Sequence, residues 1–176
     1  MRRLLLLPLL LVGCPDEAAP VISSEACEAC DGECVVENVE LQTATHTEDP
    51  IDYDTTPPVG GPHDPCWADW GVYDTELDSR HWIHNLEHGG IVYLYDCPDG
   101  CAEDVAVLEA IEAAAPSGTV IVTPYSGLDG GFAAVSWGWR MLTGCADQAA
   151  LQQFYDDRVD QAPESVTSDA PAGCSE

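Results

Sequence analysis

The chain has 176 residues, of which 32 are Asp or Glu and 5 are Arg, with no lysine, for a formal net charge of −27. Charge of that sign repels phosphate backbones and anionic membrane surfaces, which excludes nucleic acid as a partner and leaves cations, or solubility alone, as its purpose. The length suffices for one domain with a real core plus a tail.

Residues 1–13 open with Arg2 and Arg3 and continue in an apolar run from Leu4 to Val12. This is the plan of a secretory leader, and the run is short of the ~20 residues that span a bilayer. It ends in Leu11-Val12-Gly13-Cys14, which looks like a bacterial lipobox. Cys14 is therefore the expected lipidation site, with acyl chains anchoring the protein to a membrane in the cell envelope, outside the cytoplasm. Arg2 and Arg3 would leave with the leader, so three arginines face all 32 acids in the mature chain.

Residues 14–34 read as an acidic tether ending in a cysteine cluster, Cys27-x-x-Cys30-x-x-x-Cys34. Apart from Cys14 the chain has eight cysteines, an even number that in an exported chain points to disulfides before a thiolate metal site or a redox pair. Eight cysteines allow 105 pairings, so the connectivity stays open.

A single globular domain is expected over residues 35–162. Residues 35–45 alternate apolar and polar and predict a strand. Residues 50–70 are full of turn formers and predict an ordered loop. Residues 80–88 predict a short helix stopped by Gly89-Gly90, and 91–95, Ile-Val-Tyr-Leu-Tyr, a buried strand. Residues 103–115 predict a helix with Val105, Leu108 and Ile111 on one side. Residues 119–125 and 132–139 predict two strands joined as a hairpin through 126–131. Residues 146–161 predict a last helix with Leu151, Phe154, Tyr155 and Val159 inward, and the chain from 163 a polar tail. The sum is a mixed α/β (α+β) domain with a central sheet of about four strands and flanking helices. The element order is that of a thioredoxin-like topology, although histidines stand where that fold has its Cys-x-x-Cys.

All five histidines lie between residues 46 and 88: His46, His63, His81, His84 and His88. On a helix His84 and His88 are i and i+4 and share a face, which suits two imidazoles binding one ion. His63 sits in a loop held by Gly61-Pro62, and His46 at the end of the first strand supplies a fourth ring. Asp64 and Glu87 are natural partners for the other ring nitrogens. His81 reads as a bystander. Met141 and Tyr125 border such a site or, more simply, belong to the core.

These same stretches resemble a bacterial family labelled domain of unknown function 3105. The likeness is carried by Pro57-Pro58-Val59-Gly60-Gly61-Pro62-His63, by Trp67 to Tyr73, by His84-Asn85-Leu86-Glu87-His88-Gly89-Gly90 and by Val120-Ile121-Val122-Thr123-Pro124-Tyr125. It covers roughly residues 44–160, with Val59-Gly60 in place of Thr-Ser and Ser136 in place of Ala before Trp137-Gly138. The resemblance implies an exported or membrane-anchored protein and adds weight to His46, His63, His84 and His88. It supplies no reaction.

Three functions fit. The first is an envelope lipoprotein holding copper or zinc through His46, His63, His84 and His88, imidazole being a good ligand for both. The second is a zinc hydrolase, because His84-Asn85-Leu86-Glu87-His88 fits H-x-x-E-H with Glu87 as the base. The third is an interaction module without catalysis.

Overall fold

The computed structural model describes residues 30, 34–128 and 130–164. The expected leader, Cys14, most of the tether, Cys27, Cys174 and the tail beyond 164 lie outside the described residues. Among the described residues no helix is long and apolar enough to cross a membrane.

The chain forms β1 (Val35–Asn38), β2 (Gly71–Val72), α1 (Ser79–Glu87), β3 (Ile91–Asp96), α2 (Ala102–Ala114), β4 (Val120–Pro124), β5 (Gly131–Ser136), β6 (Trp139–Thr143) and α3 (Gln148–Arg158). The strands make one six-stranded sheet in the order β1-β6-β5-β3-β4-β2. β3 runs parallel to β4 and antiparallel to β5, and β2 adds to β4 in parallel. The class is the expected mixed α/β, with six strands rather than about four. β3-α2-β4 is a βαβ unit and β5-β6-α3 a ββα unit. The expected order instead counted from the 35–45 strand and the histidine helix. α1 lies outside both units, so the histidines do not stand at the first helix of the βαβ unit.

The continuous apolar run of β3 has a direct cause: the strand is central and covered on both faces. Ile91 and Tyr93 point into a core shared with Leu108 and Ile111 of α2 and Leu151 and Phe154 of α3. Val92 and Leu94 point the other way, onto Trp82, Ile83 and Leu86 of α1 and Val59 of the long loop. The sheet therefore has α2 and α3 on one face, and α1 with the loop on the other. Met141 lies in the first core and Tyr125 packs edge-on against Trp82, so both belong to the packing.

Two pairings differ from expectation. β4 and β5 form no hairpin, because β3 lies between them. The hairpin is β5/β6, closed by Trp137-Gly138 between the paired Ser136 and Trp139, with Gly138 at φ +76°. The first strand ends at Asn38 rather than running to 45, since its only partner, β6, begins at Trp139 opposite it.

All six described cysteines are disulfide-bonded, as their even number leads one to expect. Cys30–Cys145 ties the tether to the segment between β6 and α3, and Cys97–Cys101 closes a short loop before α2.

Candidate metal centre

Helix α1 begins at Asp78, whose carboxylate accepts from the Arg80 N–H, and ends at His88. It is buried on more than its apolar side. His84, Asn85 and Glu87 are all covered because the loop 57–70 lies across them. The Asn85 amide holds that loop: its oxygen accepts from the Ala68 N–H and its nitrogen donates to the Ala68 carbonyl, both at 3.0 Å. The close fit also needs Gly90, where a Cβ would stand 2.4 Å from the Trp70 ring.

A parallel bridge brings His46 to His63, with Thr47 N–H donating to the His63 carbonyl at 2.8 Å and His63 N–H to the Thr45 carbonyl at 3.0 Å. The rings of His46, His63 and His84 then form a triangle with 4.8 Å between each pair of centroids. One ligand-type atom from each, together with one carboxylate oxygen of Glu87, lies within 4.8 Å of all the others. The Glu87 Oε2 is 3.1 Å from His63 Nε2 and 3.7 Å from His46 Nε2. Ligands of a tetrahedral zinc with bonds of ~2.1 Å stand ~3.4 Å apart, so these two distances bracket what an ion needs.

The ring orientations are set by the backbone. His63 Nδ1 donates to the Gly61 carbonyl at 2.8 Å and His84 Nδ1 to the Asp64 carbonyl at 2.9 Å. A carbonyl only accepts, so both Nδ1 atoms carry a proton, and in the neutral form of each ring Nε2 is left with a lone pair facing the cluster. His63 Nε2 is buried with no hydrogen-bond partner. It stands 3.1 Å from the Glu87 carboxylate oxygen, and a proton or a metal cation between the two satisfies both. Burial, followed by the neighbouring rings of His63, His88 and His46, pushes the His84 imidazole down to about 4, against the favourable Asp64 carbonyl. It stays neutral at pH 7, the form that binds metal. Trp67 lies 5.4 Å from the His84 ring and Trp137 sits edge-on to His63 at 6.1 Å, so aromatic walls flank the site.

The structure thus brings together three of the four expected histidines, with Glu87 as the fourth group. His88 stacks on His84, with centroids 5.0 Å apart and planes 18° from parallel. Its Nδ1 donates to the Glu164 carbonyl at 3.2 Å and its Nε2 lies 3.9 Å from the Glu164 carboxylate. Both His88 ring nitrogens are thus turned to Glu164, and the Glu87 carboxylate reaches the cluster instead. His81 faces Asp64 at 3.9 Å, outside the cluster. Asp64 serves His84 through its backbone carbonyl, while its carboxylate accepts from the Cys66 N–H. Sequence reasoning placed Glu87 beside the site rather than in it and missed Asn85 and the two tryptophans. A polar Asn inside an otherwise buried helical stretch was the available signal.

The chain belongs to the family described as Protein of unknown function (DUF3105), whose sequence profile matches residues 45–171. No curated protein and no solved structure shows a significant match to it.

Proposed function

From that membership and this geometry, we propose that the protein is a cell-envelope lipoprotein that binds one copper or zinc ion through His46, His63, His84 and Glu87. The observation that carries the reading is the convergence of one ligand-type atom from each of His46, His63, His84 and Glu87 to within 4.8 Å of one another, around a buried His63 Nε2. Three imidazoles and a carboxylate suit Zn²⁺ and Cu²⁺, and the single carboxylate leaves a site of net +1 with a divalent ion. The envelope location rests on residues 1–14, and disulfides at all six described cysteines agree with an oxidising compartment.

Metal content of tag-free protein tests the reading. Wild-type holds one equivalent of copper or zinc, His84→Ala and Glu87→Gln lose it, and His88→Ala keeps it. Absence of stoichiometric metal from wild-type refutes the site. The hydrolase reading needs His84 and His88 as ligands with Glu87 free as base. It is favoured instead if Glu87→Gln retains the ion and abolishes a hydrolytic activity. For the anchor, Cys14→Ser releases the protein from membranes and removes acyl labelling; unchanged membrane retention overturns it.

A further inference from the structure

The four groups of the proposed centre are not equivalent. His63, His84 and Glu87 have side chains that are buried or nearly so, with His63 at 1 % and Glu87 at 10 % exposure, whereas the His46 side chain is 51 % exposed. The second difference is in how the rings are held. Backbone carbonyls fix Nδ1 of His63 and of His84. Among the described residues no hydrogen bond to either ring nitrogen of His46 is present, and its one charged neighbour is Glu87 at 3.7 Å. The third is the supporting chain. His63 rides on a loop clamped to α1, and His84 and Glu87 on the helix itself. His46 belongs to an exposed segment attached by two backbone hydrogen bonds to His63 and by Arg80 Nη1 donating to the Glu48 carbonyl.

Resting on the metal-binding reading, we infer that His46 is the exchangeable ligand of the centre, through which an acceptor bearing nitrogen or sulfur donors takes the ion. Three preorganised groups retain the ion while the fourth leaves. In the exchange, the bond from His46 Nε2 to the metal breaks and a bond from the acceptor's donor atom forms. No electron is transferred, and any proton on the acceptor's donor passes to solvent. Swinging His46 outward costs less than moving the other two rings, because its side chain is half exposed and no hydrogen bond among the described residues fixes its ring nitrogens. An ion released without this door would leave two buried nitrogens and a buried carboxylate with no counter-charge, which is expensive. Acceptor-assisted release avoids that state until the acceptor already shares the ion.

The test is zinc transfer from the full-length, zinc-loaded protein to the chromogenic chelator 4-(2-pyridylazo)resorcinol, followed by stopped flow. The transfer rate of wild-type rises in proportion to chelator concentration. His46→Ala keeps one zinc but gives it up at least about tenfold faster, as does His46→Asn, while His84→Ala holds none. A wild-type rate independent of chelator concentration overturns the inference and leaves the metal site standing. Loss of zinc from both His46 variants as complete as from His84→Ala also overturns it, since His46 is then indispensable rather than exchangeable. A wild-type protein that takes up no zinc or copper removes the site and this inference together.

Discussion

Replacing Asn85 by Ala isolates the contact that joins the fold to the centre. Asn85 is fully buried, and its amide satisfies both the N–H and the carbonyl of Ala68, itself only 7 % exposed. Deleting the amide leaves two buried backbone groups unpaired, at about 1–3 kcal/mol each before relaxation. The cavity admits some water, so the expected loss is ~2–4 kcal/mol in urea unfolding of the metal-free protein. Metal affinity falls as well, by about tenfold or more, because residues 64–68 carry the Asp64 carbonyl that orients His84 and the Trp67 that covers it. Asn85→Asp keeps the acceptor, loses the donor and buries a charge against the Ala68 carbonyl, so it is at least as damaging. An Asn85→Ala protein within ~0.5 kcal/mol of wild-type, with unchanged metal affinity, refutes the clamp.

Cys30–Cys145 and Cys97–Cys101 differ in reach, with separations of 115 and 4 residues. Chain-entropy reasoning gives ~5 kcal/mol for removing Cys30–Cys145 against ~2 for Cys97–Cys101, so paired Ser variants order that way in urea; the reverse order contradicts it. His84 is held at about 4 in the fold against an ordinary 6.5, so the unfolded chain binds its proton first. Stability of the metal-free protein is therefore full above pH ~6.5 and falls towards pH 4 by at most ~1.4 kcal/mol per pH unit from this group. His84→Gln flattens that part of the profile, and an unchanged profile contradicts the assignment.

What could be read from the sequence was local. The run at 91–95 announced a strand covered on both faces, and the three helices lie within a few residues of their expected ends. The crowding of five histidines into residues 46–88 pointed to the right region. Strand partners were not legible, because Ser126–Leu128 resembles a tight turn whether or not β3 lies between the strands it connects. The two-residue β2 carries no periodicity at all. Within the centre, helical spacing shows which side chains share a face but not which of them reach a common point. His88 and Glu87 were both available to partner His84; the contacts of one ring with Glu164 and the reach of the other side chain decided it.

The central claim is that His46, His63, His84 and Glu87 bind one ion, and anomalous diffraction from zinc-loaded crystals measures it most directly. The account predicts a single peak ~2.0–2.2 Å from Nε2 of the three histidines and from a Glu87 carboxylate oxygen. A peak at His88 and Glu164 instead, or none between the four groups, would contradict it.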